Sequence, residues 1–286
     1  MTDINRDPDV SVALLTRNGG KLLGRLLSAV RAQSTERRIE IVAVDSGSTD
    51  GTLELLARYG ARVTRIDPCE FSFGLSRDKV FGMARGQYIV SLSQDAIPAD
   101  PHWLDHLIAP LSDSAVGASC GRSIPDPNRE FPQFYWEASG HFYFTREMRK
   151  FARKYGRGLS NANAAYRRET WERLRFGDQP IGEDFKFQTK LHAEGLRIQF
   201  PDAPVLHHHT YTCKQLWRRC RNEGYGLRLL GCPYNEFDLL LDLVNPRINR
   251  TWIGNIPRLQ DAELFFTTVR PLAVYTGSRF ARRFAP

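Results

Sequence analysis

No uninterrupted apolar run in this 286-residue chain approaches the length needed to span a bilayer. Residues 1–9 are polar and mixed in charge, so they lack the basic, then apolar, then small-residue order of a secretory signal. Cysteine is scarce: the five residues Cys69, Cys120, Cys213, Cys220 and Cys232 are odd in number and contain no C-x-x-C spacing. That excludes a disulfide framework and a structural zinc site, and reduced thiols in a cytoplasmic protein are expected. There is no internal repeat and no low-complexity tract. Hydrophobic residues at 42% and charged residues at 25% are ordinary globular usage, far from the composition of disorder. The length suits one catalytic domain with a C-terminal appendix. The net charge of +8 points to anionic partners, among them nucleotide sugars, lipid phosphates, a membrane surface or nucleic acid.

The first half of the chain alternates between two periods. Val10 to Leu15 is a short apolar run with β-branched residues, followed by the turn formers Thr16-Arg17-Asn18-Gly19-Gly20. Leu22, Leu23, Leu26, Leu27 and Val30 recur at helical spacing, and Ile39 to Val44 reads as a second buried strand. The unit is β-α-β and predicts a parallel sheet with a right-handed crossover. A helix near Thr52–Tyr59, a strand near Arg62–Ile66, a helix near Leu75–Ala84 and a strand at Tyr88–Leu92 continue the pattern. Beyond Pro101 a helix to about Asp113 and a strand through Ala115–Gly121 are expected. Local signals fade from Phe131 to Gly158, then return at Ala162–Tyr166, in a helix after Phe185, at Arg197–Phe200 and in an amphipathic segment from Cys213. Ligands of open parallel sheets bind beyond the carboxyl ends of the strands, so Thr16, Asp45 and Ser93-Gln94-Asp95 should converge on one crevice.

Four clusters can carry chemistry. In Val44-Asp45-Ser46-Gly47-Ser48-Thr49-Asp50 a buried strand ends in an acid, and a carboxylate there can accept from a nucleobase or ribose while backbone amides face phosphate. Asp50 and Ser48 equally suit a cap of the next helix. In Ser93-Gln94-Asp95 a second buried strand runs into an acid that can hold a divalent cation or close a turn. Glu183 and Asp184 stand at a helix start, where the helix dipole favours acids and where one of them can act as a general base. His207 and His209 in Val205-Leu206-His207-His208-His209 point the same way on an extended segment, either toward a metal or phosphate or simply as a polar loop.

In order, V-S-V-A-L-L-T-R-N, V-D-S-G-S-T-D-G-T, S-Q-D-A-I-P-A-D, S-N-A-N-A-A-Y, G-E-D-F and H-H-H-T-Y resemble glycosyltransferase family 2, and more closely its bacterial rhamnosyltransferase-like members. The resemblance covers roughly residues 10–230. It implies a GT-A fold: an α/β, Rossmann-like, mostly parallel central sheet flanked by helices. A donor half over residues 10–122 and an acceptor half over 123–230 are expected, after an N-terminal tail of residues 1–9 and before a helical, basic extension over 231–286. It further implies an inverting hexosyltransferase reaction in which Asp184 is the base, with Glu183 beside it. Thr16, Arg17, Asn18, Asp45, Ser48, Arg77, Gln94 and Asp95 would contact the donor, a nucleoside diphosphate sugar of the dTDP or UDP type. Asp95 with His209 or His207 would hold Mn2+ or Mg2+, and Asn161, Asn163, Trp217 and Arg218 would meet a glycan or lipid-linked acceptor. Two departures stand out. Ser93 occupies the place of the first acid of D-x-D, which weakens the case for metal, and Asp78 replaces a usual Asn, so a carboxylate beside a diphosphate would need Lys79 or Arg77 as compensation.

Arg146, Arg149, Lys150, Arg153, Lys154 and Arg157 recur at helical spacing, and Trp217 to Arg221 is a second basic cluster with an aromatic. Either cluster is a solvated face or a site for anionic lipid or diphosphate. The stretch Phe265 to Phe284 mixes apolar residues with arginines and suits a membrane surface, here the cytoplasmic face of the inner membrane. A nucleotidyltransferase of similar fold would open with a Gly-rich, basic phosphate loop, of which Thr16 to Lys21 is a poor version. A nucleic-acid-binding protein ranks last, because the basic residues are dispersed and no known binding motif is present.

Overall fold

A computed structural model describes residues 7–124, 145–207, 212–246 and 261–284, without the side chains of 261–268. By internal contacts the chain divides into two compact units: residues 1–123, 159–179 and 183–206 form one, and residues 124–158, 180–182 and 207–286 form the other.

The first unit is built on a seven-stranded sheet. Strands β1 (Val10–Thr16), β2 (Ile39–Asp45), β3 (Arg62–Arg65) and β4 (Tyr88–Ser93) pair in parallel through helices α1 (Gly20–Arg31), α2 (Thr52–Arg58) and α3 (Phe73–Gly82). After β5 (Ala96–Pro98), helix α4 (Trp103–Ile108) gives way to a 3-10 turn at Ala109–Ser112 rather than running on to Asp113. Pro110 is the reason: it has no N–H to donate and its ring obstructs the preceding turn. Strands β6 (Val116–Cys120) and the two-residue β7 (Ser123–Ile124) follow.

The other unit contributes α5 (Arg146–Tyr155). The chain then returns to the sheet with β8 (Asn163–Arg167), α6 (Arg168–Leu174), α7 (Glu183–Ala193), β9 (Arg197–Gln199) and β10 (Val205–His207). The sheet order is β3-β2-β1-β4-β8-β6-β9, with β8 antiparallel to both neighbours. A short sheet, β5-β10-β7, accompanies it.

Strands covered on both faces need apolar residues at nearly every position, which is why β1, β2 and β4 read as continuous runs. Within them, alternation divides the core. Val10, Val12 and Leu14 pack with α1 and α4, while Ala13, Val42 and Val44 pack with α3, α6 and α7. On that second face Phe81, Tyr166, Trp171 and Phe176 meet edge-on, with centroids 5.2–6.0 Å apart, and pin β8 to the helices.

In the second unit α8 (Cys213–Leu229), α9 (Glu236–Leu243) and α10 (Asp261–Phe280) assemble with α5. Reciprocal capping boxes, Thr212 with Gln215 and Asn235 with Asp238, start α8 and α9. Helices α8 and α10 touch backbone to backbone: a Cβ on Gly224 would sit 2.0 Å from Val274 O, and one on Gly277 1.8 Å from Arg221 O. Only glycine allows that approach. Nothing in the described residues is a helix long and apolar enough to cross a membrane.

Candidate active site

Because β1, β2 and β4 are parallel and in register, Thr16 lies opposite Asp45 and Leu15 opposite Ser93, along the carboxyl edge of the sheet. The loops leaving that edge are tied together. Arg17 N–H donates to Gln94 Oε1 at 2.9 Å, and Gln94 Nε2 returns a bond to Arg17 O at 3.0 Å. Asn18 N–H donates to Ser48 Oγ and Asn18 Oδ1 accepts from Thr49 N–H, each at 2.8 Å. Asp50 joins the same loops, accepting from Gly20 N–H at 3.1 Å and from Thr52 Oγ1 at 2.6 Å.

Asp45 is the fully buried centre of this arrangement. Its Oδ1 accepts from Gly47 N–H at 3.1 Å and Ser48 N–H at 2.9 Å, and its Oδ2 from Thr16 Oγ1 at 2.9 Å and from Ser48 Oγ. Gly47, at φ 89°, occupies the left-handed region that turns its N–H back onto the acid. Burial alone would raise the Asp45 carboxyl, but the bonds from Ser48, Thr16 and Gly47 outweigh it and hold the group below its ordinary value. A charged acid therefore organises the loops that follow β1 and β2.

Asp95 is half-buried in the turn between β4 and β5. No three histidine, cysteine or acidic side chains gather as a metal cage among the described residues. His207 ends β10, and His209 lies outside the described residues.

The acid pair sits on the same edge of the sheet. Since β8 runs antiparallel to β4, with Leu92 opposite Asn163, the loop before β8 meets the end of β4, and Ser93 N–H donates to Ala162 O at 3.2 Å. Against this loop stands the first turn of α7, which carries Glu183 and Asp184. Glu183 accepts from Asn161 Nδ2 at 2.9 Å and lies 3.6 Å from Arg77 Nη2. Arg77 Nη1 donates to Ser91 Oγ at 2.9 Å, and Ser91 Oγ donates to Asn161 O at 2.7 Å. Tyr166 OH completes the mesh with a 2.7 Å bond to Asn161 Oδ1.

Asp184 differs from its neighbour. Half-buried by surface exposure, it accepts backbone N–H bonds from Phe185 at 2.8 Å and Asn161 at 3.3 Å. Burial, and then the charge of Glu183, push its carboxyl up to about 7 against those bonds and the more distant Arg77. One acid is matched with a cation and an amide, and the other is left proton-avid near neutrality.

Several expected site residues are placed in unexpected company. The Arg77 guanidinium, expected near a diphosphate, is 4% exposed and directed onto Ser91 and Glu183. Asp78 needs no compensating cation, because it accepts from Trp171 Nε1, Phe176 N–H and Gly177 N–H at 2.8–2.9 Å and so binds α3 to the end of α6. Asn161 and Asn163, expected to meet an acceptor, both have amide oxygen and nitrogen engaged internally, Asn163 with Trp103 Nε1 and Ala203 O. Trp217 and Arg218 belong to the other unit: Trp217 packs against the buried cluster that contains Leu216, Cys220 and Tyr234, and Arg218 is exposed. The sequence reading passed over Ser91 and Tyr166. Ser91 carried a signal, a hydroxyl inside the apolar run of β4, whereas Tyr166 looked like one more core aromatic.

A paired acid at a helix start and loops knit around a buried strand-end aspartate thus lie along the carboxyl edge of one sheet. The model of glycosyl transferase family 2 matches residues 11–175. The chain belongs to this family. It is a glycosyltransferase of GT-A fold, and the match takes in the loops after β1, β2 and β4 together with β8 while ending short of the acid pair. Two relatives from Salmonella are the O-antigen chain rhamnosyltransferase WbaN of Salmonella anatum, 27% identical over 76% of this chain and 71% of its own, and RfbN of Salmonella typhimurium, 29% identical over 75% and 71%. Among solved structures, the mannosyltransferase PcManGT from Pyrobaculum calidifontis, in complex with GDP-Man and Mn2+, superposes with a TM-score of 0.61 at 18% identity, covering 98% of this glycosyltransferase and 89% of that chain. Glucosyl-3-phosphoglycerate synthase from Mycobacterium tuberculosis superposes at 0.58 and 20% identity, covering 79% and 80%. These two structural likenesses establish the fold.

Proposed function

We propose that this glycosyltransferase moves a deoxyhexose, rhamnose foremost, with inversion, from a dTDP- or UDP-type donor to a hydroxyl of a bacterial surface glycan or its lipid-linked precursor. The observation that carries the reading is the acid pair: Glu183 is held beside Arg77 and Asn161, while Asp184 is pushed toward protonation near neutral pH. The Salmonella relatives, named as O-antigen rhamnosyltransferases, support the sugar and acceptor class.

In this reading Asp45, Thr16, Asn18 and Ser48 shape the loops that take the nucleotide, with Arg17, Gln94 and Asp95 beside them. The acceptor hydroxyl lies against Asp184, whose carboxylate takes its proton as the oxygen attacks the anomeric carbon. The bond from that carbon to the diphosphate breaks, and the nucleoside diphosphate leaves with the electron pair. The Asn161 N–H holds the Asp184 carboxylate in place, and Glu183 and Arg77 flank it without exchanging a proton in the step. A divalent cation, as in the Mn2+ complex of PcManGT, would neutralise the leaving diphosphate. Asp95 is the carboxylate that would help to hold it, while Ser93 adds no charge. The reaction belongs on the cytoplasmic face of the inner membrane, where a lipid-linked precursor would be presented.

Asp184→Asn should lower turnover by about a hundred- to ten-thousand-fold while leaving the calorimetric affinity for the donor nucleotide near that of the wild type. Wild-type turnover in that variant overturns the base assignment, and a product retaining the donor's anomeric configuration by NMR overturns inversion.

A further inference from the structure

Helix α9, Glu236–Leu243, is inside out. Asp238 and Asp242, four residues apart, are 1% and 2% exposed, whereas Phe237, Leu240 and Val244, spaced by three and four, are 63%, 57% and 60% exposed. A helix in a globular protein normally turns its apolar stripe inward and its charges to water. Here the acids are satisfied inside: Asp238 pairs with Lys150 and with Arg146 at 3.4 Å, and Asp242 accepts from Tyr234 OH at 2.9 Å and Arg146 N–H at 3.0 Å. The inward face thus anchors α9 by polar contacts, and the outward face contributes nothing to the core.

A second stripe adjoins it. Along α10 the exposed residues include Leu272, Arg279 and Phe280, the last 65% exposed, with half-buried Tyr275 beside them and Arg282 and Arg283 exposed just beyond the helix. The stripes meet at Glu236, which accepts from Tyr275 OH at 2.9 Å and pairs with Arg279 at 3.8 Å. The surface thus has an apolar stripe on α9, an exposed Glu236–Arg279 ion pair where the two stripes join, and arginines at the α10 end.

We propose that the outward faces of α9 and the end of α10 dock this enzyme on an anionic lipid bilayer. Apolar side chains on a helix lying in the membrane plane enter the acyl boundary, and arginines at the rim meet lipid phosphates. A second copy of the chain fits less well. In a two-fold contact each copy would bring the same arginine rim to the other. An eight-residue helix is also only about 12 Å long, too short a face for the roughly 800 Å² per partner of a stable dimer. The inference is independent of the donor and base assignments, since none of these residues belongs to that site.

The test is sedimentation of the full chain with vesicles of phosphatidylethanolamine and phosphatidylglycerol, beside vesicles of phosphatidylcholine alone. Binding to the anionic vesicles is expected, weakening as salt rises. The triple variant Phe237→Ser, Leu240→Gln, Val244→Thr should lose about tenfold or more of that binding while melting as the wild type does and keeping donor-nucleotide affinity. Arg282→Gln with Arg283→Gln should lower binding to anionic vesicles only. Equal binding by the triple variant, no preference for anionic lipid, or a concentration-dependent dimer that the triple variant abolishes overturns the proposal.

Discussion

Glu183 and Asp184 are adjacent carboxylates, yet Arg77 lies 3.6 Å from Glu183, while burial and the charge of that neighbour leave Asp184 near pH 7. A base must be ionised to accept a proton, so turnover should rise with pH along a limb centred near 7 and level off above it. Arg77 helps keep Asp184 ionised, and Arg77→Gln should move that limb upward while sparing the loops around Asp45. A limb that stays in place in the pH–rate profile of the variant would show that Arg77 does not act on the base. The strand-end position of Asp45 was legible in its apolar run. The division of labour within Gly182-Glu183-Asp184-Phe185 was not, because it depends on Asn161, Ser91 and Tyr166, which are brought in from other strands.

At the scale of elements, hydrophobic period located the strands and helices of the parallel half, since doubly covered strands and one-sided helices leave different spacing. It failed where a local event interrupts the period, as Pro110 does after α4, and where a strand is too short to show one, as in β5, β7 and β10. In helix α9 the buried polar positions are Asp238 and Asp242, which lie beside Leu239 on the packed side, a placement that local pattern does not give. The contact of α8 with α10 is likewise silent in sequence, where Gly224 and Gly277 look like helix-weakening residues. Gly277→Ala should cost about 3 kcal/mol or more, read by thermal or denaturant unfolding, because its Cβ would meet the Arg221 carbonyl, which is backbone and cannot rotate away. An unfolding midpoint within error of the wild type would mean that the helices separate at little cost.

For the whole molecule, the raised Asp184 carboxyl links stability to pH. Its folded value is about 7 against an ordinary value of 3.8, so between these the folded chain holds a proton that the unfolded chain has released. This contribution to stability is fully present below about pH 4 and is lost as pH rises through 7. Asp184→Asn should abolish that part of the decline and raise the unfolding midpoint at pH 8, and an unchanged pH–stability curve would count against the burial assigned to Asp184. Residue order by itself determined the α/β class, the parallel register of the first strands and the acids at their ends, because periodicity and turn chemistry are local properties. The ordered motifs also determined the family. Only the tertiary structure decided which acid is matched and which is left proton-avid, that Arg77 serves Glu183, that Asp78 is a structural clamp, and that α9 turns its apolar side outward. Each of those outcomes is set by desolvation and by partners distant in sequence, which no local pattern encodes.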